Sequence, residues 1–596
     1  MSLTNFLEKT HSEKIVLVEF DELEDITNSL WIKHSPNLWK LTYSWDVTQV
    51  NTSYGFGSWG WGAYGGSETT LLPTPERSPI LKVGSLAVEQ ENYISVSSIQ
   101  AAEDQVKSFY WDQPNQILYI HPPDGTNPDS YDLIGLGITQ GFSNKSSYFN
   151  DLYYEGRVTS VPNISTVRDA QYYGLISFDG GSFSVINTDG YFDKVTNRGQ
   201  AIRIYFGGDD LDYSEYEQVF SGYIEEIDIQ ADSVTFGLRD QRKLLEKIVP
   251  TGELSKSDYP NMKDDGVLKP IAYGKVRNAT LIQLDQEADP APSSFRFYIA
   301  DIDYTTIDSI DEVFVDGVSV AYSYSNNIIT LSDTVFTEDS KEVTCSFTTT
   351  INKPLDIIKD LIVNFTDISY TSDFFNLTEW EYYNSIITTP VSLYISESKS
   401  LIDIIGEICA SVLGLFIVQG DGKISFTQQD LEKDVVKNIN IDEIISQVQV
   451  TYDQSNYASS IRVGYAFDNT SSKYSWVLNR SYEENLIIKY RKDKRVDFGT
   501  LLTESIDASN LSETFMLYYG GFFPIITWVT KTQNMDIKLE DNINLQTEIN
   551  KEDYIKLEIV GVDKNLTNST ITFTGKYIGD PTQMNIGKLI RYRQPK

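Results

Sequence analysis

Short apolar runs bounded by turn-forming residues recur along most of the chain. β-Branched and aromatic residues dominate these runs, and glycine, asparagine, aspartate or proline ends them, which is typical of antiparallel sheets. The pattern predicts strands at residues 15–20, 116–121, 202–206, 233–238, 312–315, 328–331 and 554–560. Asp-Gly pairs at 124–125, 179–180, 189–190, 316–317 and 421–422 predict tight turns. We therefore expect a mainly β (α+β) protein with several small antiparallel barrels or sandwiches.

Two segments have helical periodicity instead. Pro354 opens the first, and apolar residues follow it at three- and four-residue spacing. The second follows Ser400, a good N-cap, and carries Asp403 in its first turn. Its apolar residues form a wide stripe, and Gly414 is predicted to end it. Together they predict one two-helix unit over 354–426.

Shifts in composition divide the chain into five pieces. A tyrosine-rich stretch ends near residue 165, and a segment rich in proline and serine before residue 295 has the composition of a linker. The predicted pieces are an N-terminal β domain with a Gly/Trp-rich loop (1–165), a first β-barrel domain (166–285), a small β insert (286–350), a helical and β domain (351–435) and a second β-barrel domain (436–596). A shorter segment, 239–249, predicts a further helix. We expect the segments before and after the two-helix unit to meet in space, rather than five independent domains in a row.

Acidic residues greatly outnumber basic ones. There are 48 Lys and Arg against 85 Asp and Glu, which gives a net charge of −37. A surface that negative repels phosphate, so the composition argues against a nucleic-acid clamp. The N-terminus carries charges where an export signal needs an apolar stretch. The most apolar run, 410–418, is much shorter than the ~20 residues that span a bilayer. We expect a soluble protein made in a cytoplasm.

Residues that perform catalysis or bind metals are sparse. The two cysteines, Cys345 and Cys409, and the three histidines, His11, His34 and His121, are scattered without metal-ligand spacing. No nucleophile elbow, phosphate loop or dinucleotide fingerprint appears. We therefore predict no catalytic residue, no cofactor and no metal site, and we do not expect an enzyme.

One acidic run leaves an alternative open. Asp209, Asp210, Asp212 and Glu215 lie close together in the sequence, and carboxylates are the ligands that calcium prefers. The run lacks the glycine and the terminal glutamate of the common calcium loop. A solvated loop over 209–215 is the favoured interpretation, and a cation site is the alternative.

Aromatic residues and glycines alternate in an unusual segment between residues 54 and 66. Its aromatic side chains, which we treat as a candidate contact loop, are Tyr54, Phe56, Trp59, Trp61 and Tyr64. Exposed aromatic clusters often mark interfaces. The segment could fold back on its own domain, contact another protein, or contact carbohydrate or membrane.

Three stretches form a recognisable set. Residues 178–224 contain FDGGSFSVINTDGYFD and FSGYI, residues 234–278 contain VTFGLRDQRKLLEKIVP and GVLKPIAYGKVRN, and residues 396–426 contain the second helix and QGDGKI. In content and order they resemble the tail-hub (tail-tip or baseplate-hub) proteins of tailed bacteriophages and related contractile or transfer particles. The resemblance covers about 165–285 and 350–580. It implies discontinuous hub domains around the helical unit.

The resemblance also implies a function. A hub is a structural virion protein that closes the distal end of the tail tube and takes part in host cell entry. The implied partners are two further copies in a homotrimer, the distal tail or tail tube protein, the tape-measure protein, fibre or receptor-binding proteins, and DNA in transit. The protein would be made in the host cytoplasm and reside in the virion. The alternatives are a tail-associated or secreted glycan-degrading enzyme with binding modules, which lysis of peptidoglycan in zymography would favour, and a cell-surface adhesin.

Charge adds an expectation about the channel of such a ring. A basic channel would hold passing DNA, which carries about one negative charge per 1.7 Å. We expect acidic or small polar residues around the opening. The scarce cations, including Lys588, Arg591 and Arg593 of the tail, should face subunit or tube contacts.

Overall fold

The computed structural model describes most of the chain between residues 14 and 578. The described residues are 14–25, 32–33, 39–42, 82–88, 91–92, 94–95, 97–105, 108–112, 117–121, 134–149, 152–168, 174–179, 181–192, 199–208, 211–285, 293–336, 342–429, 433–451, 457–480, 494–521, 523–546 and 554–578.

Strands dominate these residues. Up to residue 249 they are β1 (Lys14–Asp25), β2 (Ile32–Lys33), β3 (Trp39–Thr42), β4 (Lys82–Val88), β5 (Glu91–Asn92), β6 (Ile94–Ser95), β7 (Ser108–Asp112), β8 (Ile117–His121), β9 (Ile134–Ser143), β10 (Ser147–Phe149), β11 (Leu152–Gly156), β12 (Val158–Ser160), β13 (Asn163–Arg168), β14 (Gly174–Asp179), β15 (Ser182–Ile186), β16 (Ala201–Gly208), β17 (Glu217–Ile229), β18 (Ser233–Asp240) and β19 (Ile248–Val249).

After residue 249 come β20 (Glu253–Leu254), β21 (Val267–Leu268), β22 (Ile271–Tyr273), β23 (Lys275–Thr280), β24 (Ile282–Gln283), β25 (Ser294–Tyr298), β26 (Ile307–Val315), β27 (Val318–Ser319), β28 (Ser323–Ser325), β29 (Ile328–Ser332), β30 (Val343–Thr349), β31 (Leu393–Ile395), β32 (Lys399–Ser400), β33 (Gly414–Val418), β34 (Ile424–Gln428), β35 (Val435–Ile439), β36 (Gln449–Thr451), β37 (Ser460–Asp468), β38 (Lys473–Arg480), β39 (Arg495–Gly499), β40 (Ile525–Lys531), β41 (Asn542–Gln546), β42 (Tyr554–Asn565) and β43 (Thr570–Tyr577).

Helices are fewer. The α-helices are α1 (Ile99–Asp104), α2 (Pro354–Phe365), α3 (Leu377–Ile386), α4 (Leu401–Ser411) and α5 (Ser505–Tyr519), and 3₁₀ turns cover Tyr213–Glu215, Gln241–Leu245, Ile441–Glu443 and Thr532–Asn534. Among the described residues, no helix is both long and apolar enough to cross a bilayer.

Two large sheets hold 21 of the 43 described strands. The first has the order β10-β11-β9-β1-β16-β17-β18-β15-β12, with β4 and β5 attached at β9. The second has the order β34-β33-β14-β13-β42-β43-β40-β36, with β41 and β35 attached at β42. Within the described residues neither sheet closes into a barrel. The expected mainly β class is confirmed, but its units are open sheets packed together.

The second sheet joins distant parts of the chain. Strand β13 pairs antiparallel with β42, so that residues 163–167 lie opposite residues 561–565. One hydrophobic core contains residues of both large sheets, including Phe20, Phe206 and Phe236 from the first and Trp528, Ile559 and Phe573 from the second. The two flanking β regions therefore meet in one core around the central units, as the discontinuous arrangement requires.

The central part of the chain forms two further units. The insert packs a four-stranded sheet, β24-β25-β29-β28, over the strands β26, β30 and β23 around Phe297, Phe336 and Phe347. Helices α2, α3 and α4 share a second core with α5 and strands β33, β34, β37 and β39. Helix α5 lies on one face of β37 and β38, where Asn479 donates a hydrogen bond to Ser512 at 3.3 Å.

Local sequence signals explain many of these elements. Six of the seven predicted strand segments lie within strands, and β8 covers the described residues of the seventh, 117–121. At the predicted turn between β26 and β27, Asp316 and Gly317 have φ angles of 50° and 80°, the left-handed conformation that a tight hairpin turn needs.

The helical predictions need additions and one correction. Helices α2 and α4 begin where predicted, but α3 lies between them. The helical part of segment 239–249 is only a 3₁₀ turn at Gln241–Leu245, between the end of β18 and β19. Gly414 does not end α4, because α4 stops at Ser411 and Gly414 opens β33. A Cβ atom at Gly414 would lie 2.1 Å from Cζ of Phe426, so the glycine is needed for close packing.

The core of the helical unit gives a first prediction. Leu361 of α2 is fully buried, whereas Val363 on the same helix is 40% exposed. Leu361→Ala should lower the free energy of unfolding by about 2–5 kcal/mol because it leaves a cavity. Val363→Ala, the matched control, should change it by about 0.5 kcal/mol or less. Urea unfolding followed by circular dichroism checks this, and equal midpoints for the two variants would contradict the assigned packing.

Candidate functional site

Four charged side chains meet where the chain returns to itself in the second sheet. Arg168 ends β13, Glu558 lies in the middle of β42, Lys576 is on β43, and Glu540 precedes β41. The side chains of Arg168, Glu540 and Glu558 are 8%, 1% and 3% exposed. Charged groups are seldom buried to this extent unless they are paired.

Arg168 contacts both carboxylates. Its Nε donates to Oε1 of Glu540 at 3.0 Å, and its Nη2 makes a second, shorter contact to the same oxygen. Nη2 also lies 3.5 Å from Oε1 of Glu558. The other oxygen of Glu558 accepts a hydrogen bond of 2.9 Å from Nε2 of Gln429. The arginine thus links the first half of the chain to β42 and to the residues just before β41.

Lys576 completes the cluster from the neighbouring strand. It lies directly across from Glu558 in the register of β42 and β43. Its Nζ donates to the carbonyl oxygen of Tyr518 at 2.8 Å and lies 4.2 Å from the ring centroid of Tyr519. Both tyrosines belong to the end of α5. The lysine therefore attaches that helix to the second sheet by a hydrogen bond and a cation–π contact.

Burial dominates the electrostatics of this charge cluster. It raises the pKa of Glu540 to about 8, against the lowering effect of Arg168, and Glu558 adds to the rise. Burial also lowers the pKa of Lys576 to about 8, against the nearby carboxylates. The second oxygen of Glu540 has no hydrogen-bond partner among the described residues, which fits a carboxyl group that holds a proton easily.

The charge cluster is suited to holding segments together rather than to chemistry. Two cations face two carboxylates, so the formal charges cancel when all four groups are ionised. The side chains are closed off from solvent, and the Lys576 amine is held by the carbonyl oxygen of Tyr518 and the ring of Tyr519. Removing one partner of such a buried pair leaves the other charge uncompensated, which typically costs about 3–5 kcal/mol.

A second buried carboxylate ties β1 into the first sheet. Glu19 accepts hydrogen bonds from the hydroxyls of Tyr154 and Tyr213, the latter at 2.8 Å. Arg203 on the adjacent β16 reaches the other Glu19 oxygen at 3.1 Å and 3.2 Å. Burial, with Glu19 adding to it, raises the pKa of Tyr154 well above its usual value. This network too is fully used within the chain.

An open groove of about 640 Å³ lies between the insert and strands β37 and β38. Its cations are Lys275, Arg277 and Lys473, and its carboxylates are Asp311, Glu312 and Asp468. Two hydrogen bonds join the strands beside it: Asn469 donates to the carbonyl of Arg277 at 2.7 Å, and Thr470 donates to that of Asn278 at 2.7 Å. Its lining residues offer charge of both signs, and no histidine or cysteine is among them.

The residues predicted from the sequence are only partly described. The candidate contact loop of Tyr54, Phe56, Trp59, Trp61 and Tyr64 lies outside the described residues, as do His11, His34 and the cations Lys588, Arg591 and Arg593.

The acidic run is also described only in part. Asp209 and Asp210 lie outside the described residues. Asp212 and Glu215 cap the 3₁₀ turn at residues 213–215, where the backbone N–H of Asp212 donates to Oε2 of Glu215 at 3.2 Å. Within the described residues, no group of three or more His, Cys, Asp or Glu is placed to hold a metal ion.

The two cysteines and His121 are all buried. Cys345 and Cys409 are both free and fully buried. Burial raises the pKa of Cys345 to about 12 and that of Cys409 further, so neither thiol ionises readily. His121 is 5% exposed, and its Nδ1 lies 2.8 Å from the carbonyl oxygen of Ala102, to which it donates.

Sequence reasoning missed the charge cluster. Counting the register outward from the turn between β42 and β43 would have paired Glu558 with Tyr577, because the pairing shifts by one residue between Ile559 and Gly561. Arg168 and Glu540 are 372 residues apart, and no local pattern connects them.

Comparisons with known proteins find only remote similarity. No family model matches the chain, and no curated protein matches it. Among solved structures, this chain is similar to a tail protein from Neisseria meningitidis MC58. The alignment covers 70% of this chain and 90% of that protein, at 9% identity and a TM-score of 0.36. The 43 kDa tail protein of prophage MuSo2 from Shewanella oneidensis matches 72% and 95%, at 10% identity and 0.34. A chain from the virion of a native gene transfer agent matches 56% and 90%, at 7% identity and 0.38. TM-scores this low carry no argument about fold or function.

The charge cluster predicts a characteristic pH dependence of stability. Folded Glu540 keeps its proton up to about pH 8, whereas the unfolded glutamate loses it near its ordinary pKa of 4.5. The proton stabilises the folded state at low pH, and this contribution is lost as pH rises towards 8. For Lys576 the sign is reversed, because its folded pKa is lowered from 10.5: stability is lost as pH falls from 10.5 towards 8.

The variant Glu540→Gln tests the contribution that the Glu540 proton makes to stability below pH 8. Between pH 5 and 8 its unfolding free energy should depend less on pH than that of the wild type, by at most about 1.4 kcal/mol per pH unit, the value for one proton. Above pH 8 the two curves should run parallel. Glu513→Gln, at an exposed position of α5, is the control and should follow the wild type. Urea titrations at several pH values measure this, and a Glu540→Gln curve parallel to the wild type below pH 8 would refute the assignment.

Proposed function

We propose that this chain is a structural component of a phage-type tail, namely the hub that closes the distal end of the tail tube. One observation carries the proposal. The three sequence stretches that resemble tail hubs occur in hub order, and the β regions that flank the helical unit lie in one common core. A row of independent domains would not have that arrangement.

The geometry suits a rigid building block. The two large sheets share a core, so they can present two β units side by side from a single subunit. A homotrimer would then offer six β units, which matches the sixfold symmetry of a tail tube. In this proposal the hub contacts the tail tube protein and the tape-measure protein on one side, and fibres or receptor-binding proteins on the other.

The proposal assigns no catalytic step to the chain. Both buried carboxylate networks are occupied by internal partners, and the two thiols are buried. The protein would act by holding its neighbours in the virion and by leaving a passage for DNA during host cell entry.

Assembly is the first test. Native mass spectrometry of the protein with tail tube protein at micromolar concentration should give a species containing three copies of 67.6 kDa. A ring that needs its partners to form leaves the protein monomeric on its own. A monomer without tube protein is therefore compatible with the hub. A monomer in the presence of tube protein would count against the hub.

The channel gives a second test. A ring of three chains, each at −37, can line its opening with carboxylates, so that passing DNA is not held. We expect mostly acidic or small polar residues at the opening and the scarce cations at contacts. A cryo-EM reconstruction of the particle would map these residues, and a net positive band around the opening would refute the expectation.

A further inference from the structure

The sheet β38-β37-β39 has one covered face and one open face. Helix α5 covers the first, on which Ile461 and Val463 are fully buried. On the other face Trp476 and Leu478 are 39% and 50% exposed. No described helix packs over this second face, which we call the arginine–tryptophan face.

The open face is held rigidly by its own side chains. The Arg462 guanidinium lies 4.2 Å from the ring centroid of Trp476, and Tyr474 contacts Trp476 edge to face at 5.5 Å. The Tyr474 ring lies over Gly464 and Gly499, where a Cβ atom would come within 2.9 Å of it. Tryptophan, tyrosine and arginine on a pre-organised surface are the residues that dominate protein–protein binding energy.

The same face carries surplus positive charge. Arg462 and Arg495 both pair with Asp497, at 2.6 Å and 3.1 Å, so two cations share one carboxylate. Lys473 lies at the adjoining groove, where three cations and three carboxylates balance one another. This is unusual in a chain with a net charge of −37, in which other arginines such as Arg168 and Arg203 are used on internal carboxylates.

A surface of complementary chemistry lies on the first sheet. The hairpin of β17 and β18 presents Glu226 and Asp228 on the side of the sheet that carries Ile186, and Asp232 lies in its turn. All three carboxylates are exposed, and Ile186 is 38% exposed. We call this surface the acidic hairpin.

The carboxylates of the acidic hairpin have no cation partner in the part of the chain that the structure describes. The described ion pairs of Arg239 on β18 are to Glu225 and Glu246. Asp228 instead accepts from the neutral Gln230 at 3.2 Å, and Asp232 contacts Ser233 at 3.5 Å. Within the described residues, no lysine or arginine lies within ion-pair distance of Glu226, Asp228 or Asp232.

We propose that the arginine–tryptophan face of one copy binds the acidic hairpin of a second copy. Copies that each carry −37 repel one another, so a stable contact must bring a local positive surplus against carboxylates. Each surface also exposes apolar side chains, Trp476 and Leu478 on one and Ile186 on the other, and these pack together in the proposed contact. The contact joins different surfaces on its two sides, so three copies close into a ring when each contact turns the next copy by one third of a turn. The inference rests on the homotrimer of the proposed function and names its interface.

A charge swap tests the pairing. Arg495→Glu and Asp228→Arg should each raise the concentration at which half of the protein is assembled by at least tenfold, because each places like charges opposite one another. The double variant restores an opposite pair and should return to within about threefold of the wild type. Trp476→Ala should also weaken assembly at least tenfold. Lys263→Glu, at an exposed position between β20 and β21 and outside both surfaces, is the control and should have no effect.

Analytical ultracentrifugation across a concentration series measures the concentration at which half of the protein is assembled. Circular dichroism checks that each variant is folded. If the wild type forms trimers and neither reversal weakens them, this interface is wrong while the proposed trimer stands. If both reversals weaken assembly but the double variant does not recover, the two surfaces bind something other than each other, and the inference fails. If the free wild type stays monomeric throughout the series, the inference also fails, and the experiment with tail tube protein decides the proposed function separately.

Discussion

The pairing of β13 with β42 is the constraint on which the rest of the structure depends. It closes a loop of roughly 400 residues, at an entropic cost of about 5 kcal/mol for a flexible chain. The pairing buries Ile164 and Val562 in the common core and brings Arg168 to its carboxylates. The insert and the helical unit both lie within this loop. The two large sheets are therefore one body, and the central units branch from it.

Local chemistry is sufficient for much of this architecture. Alternating apolar runs identify strands such as β1 and β16, and the Asp316-Gly317 pair identifies a hairpin turn, because both signals act within a few residues. Helix α5 was not predicted from the sequence. Ile506 and Leu517 are 64% and 65% exposed, whereas Ser512 is buried, so its apolar pattern does not mark the face that packs. Tertiary packing on β37 and β38, rather than its own periodicity, defines that helix.

The charge cluster could not be predicted from local sequence patterns. A lysine at position 576 looks like an ordinary outward-facing residue of a strand, since the alternate positions Ile571 and Phe573 point to the core. It is buried because the end of α5 covers that side of the sheet. Arg168 and Glu540 meet only because β13 and β42 are paired. A charge that is costly to bury is tolerable here because each partner comes from a segment that the fold has already brought close.

The order in which the chain is made gives this pairing another consequence. Strand β13 leaves the ribosome after 168 residues, but its partner β42 is complete only at residue 565. At about 5–20 residues per second this interval lasts roughly 20–80 s. Throughout it, one edge of β13 is open to pairing with other chains, a state that favours aggregation. Charged side chains on open edges discourage such pairing. Arg168 is buried in the folded protein, but on the nascent chain its charge discourages the open edge of β13 from pairing with other chains.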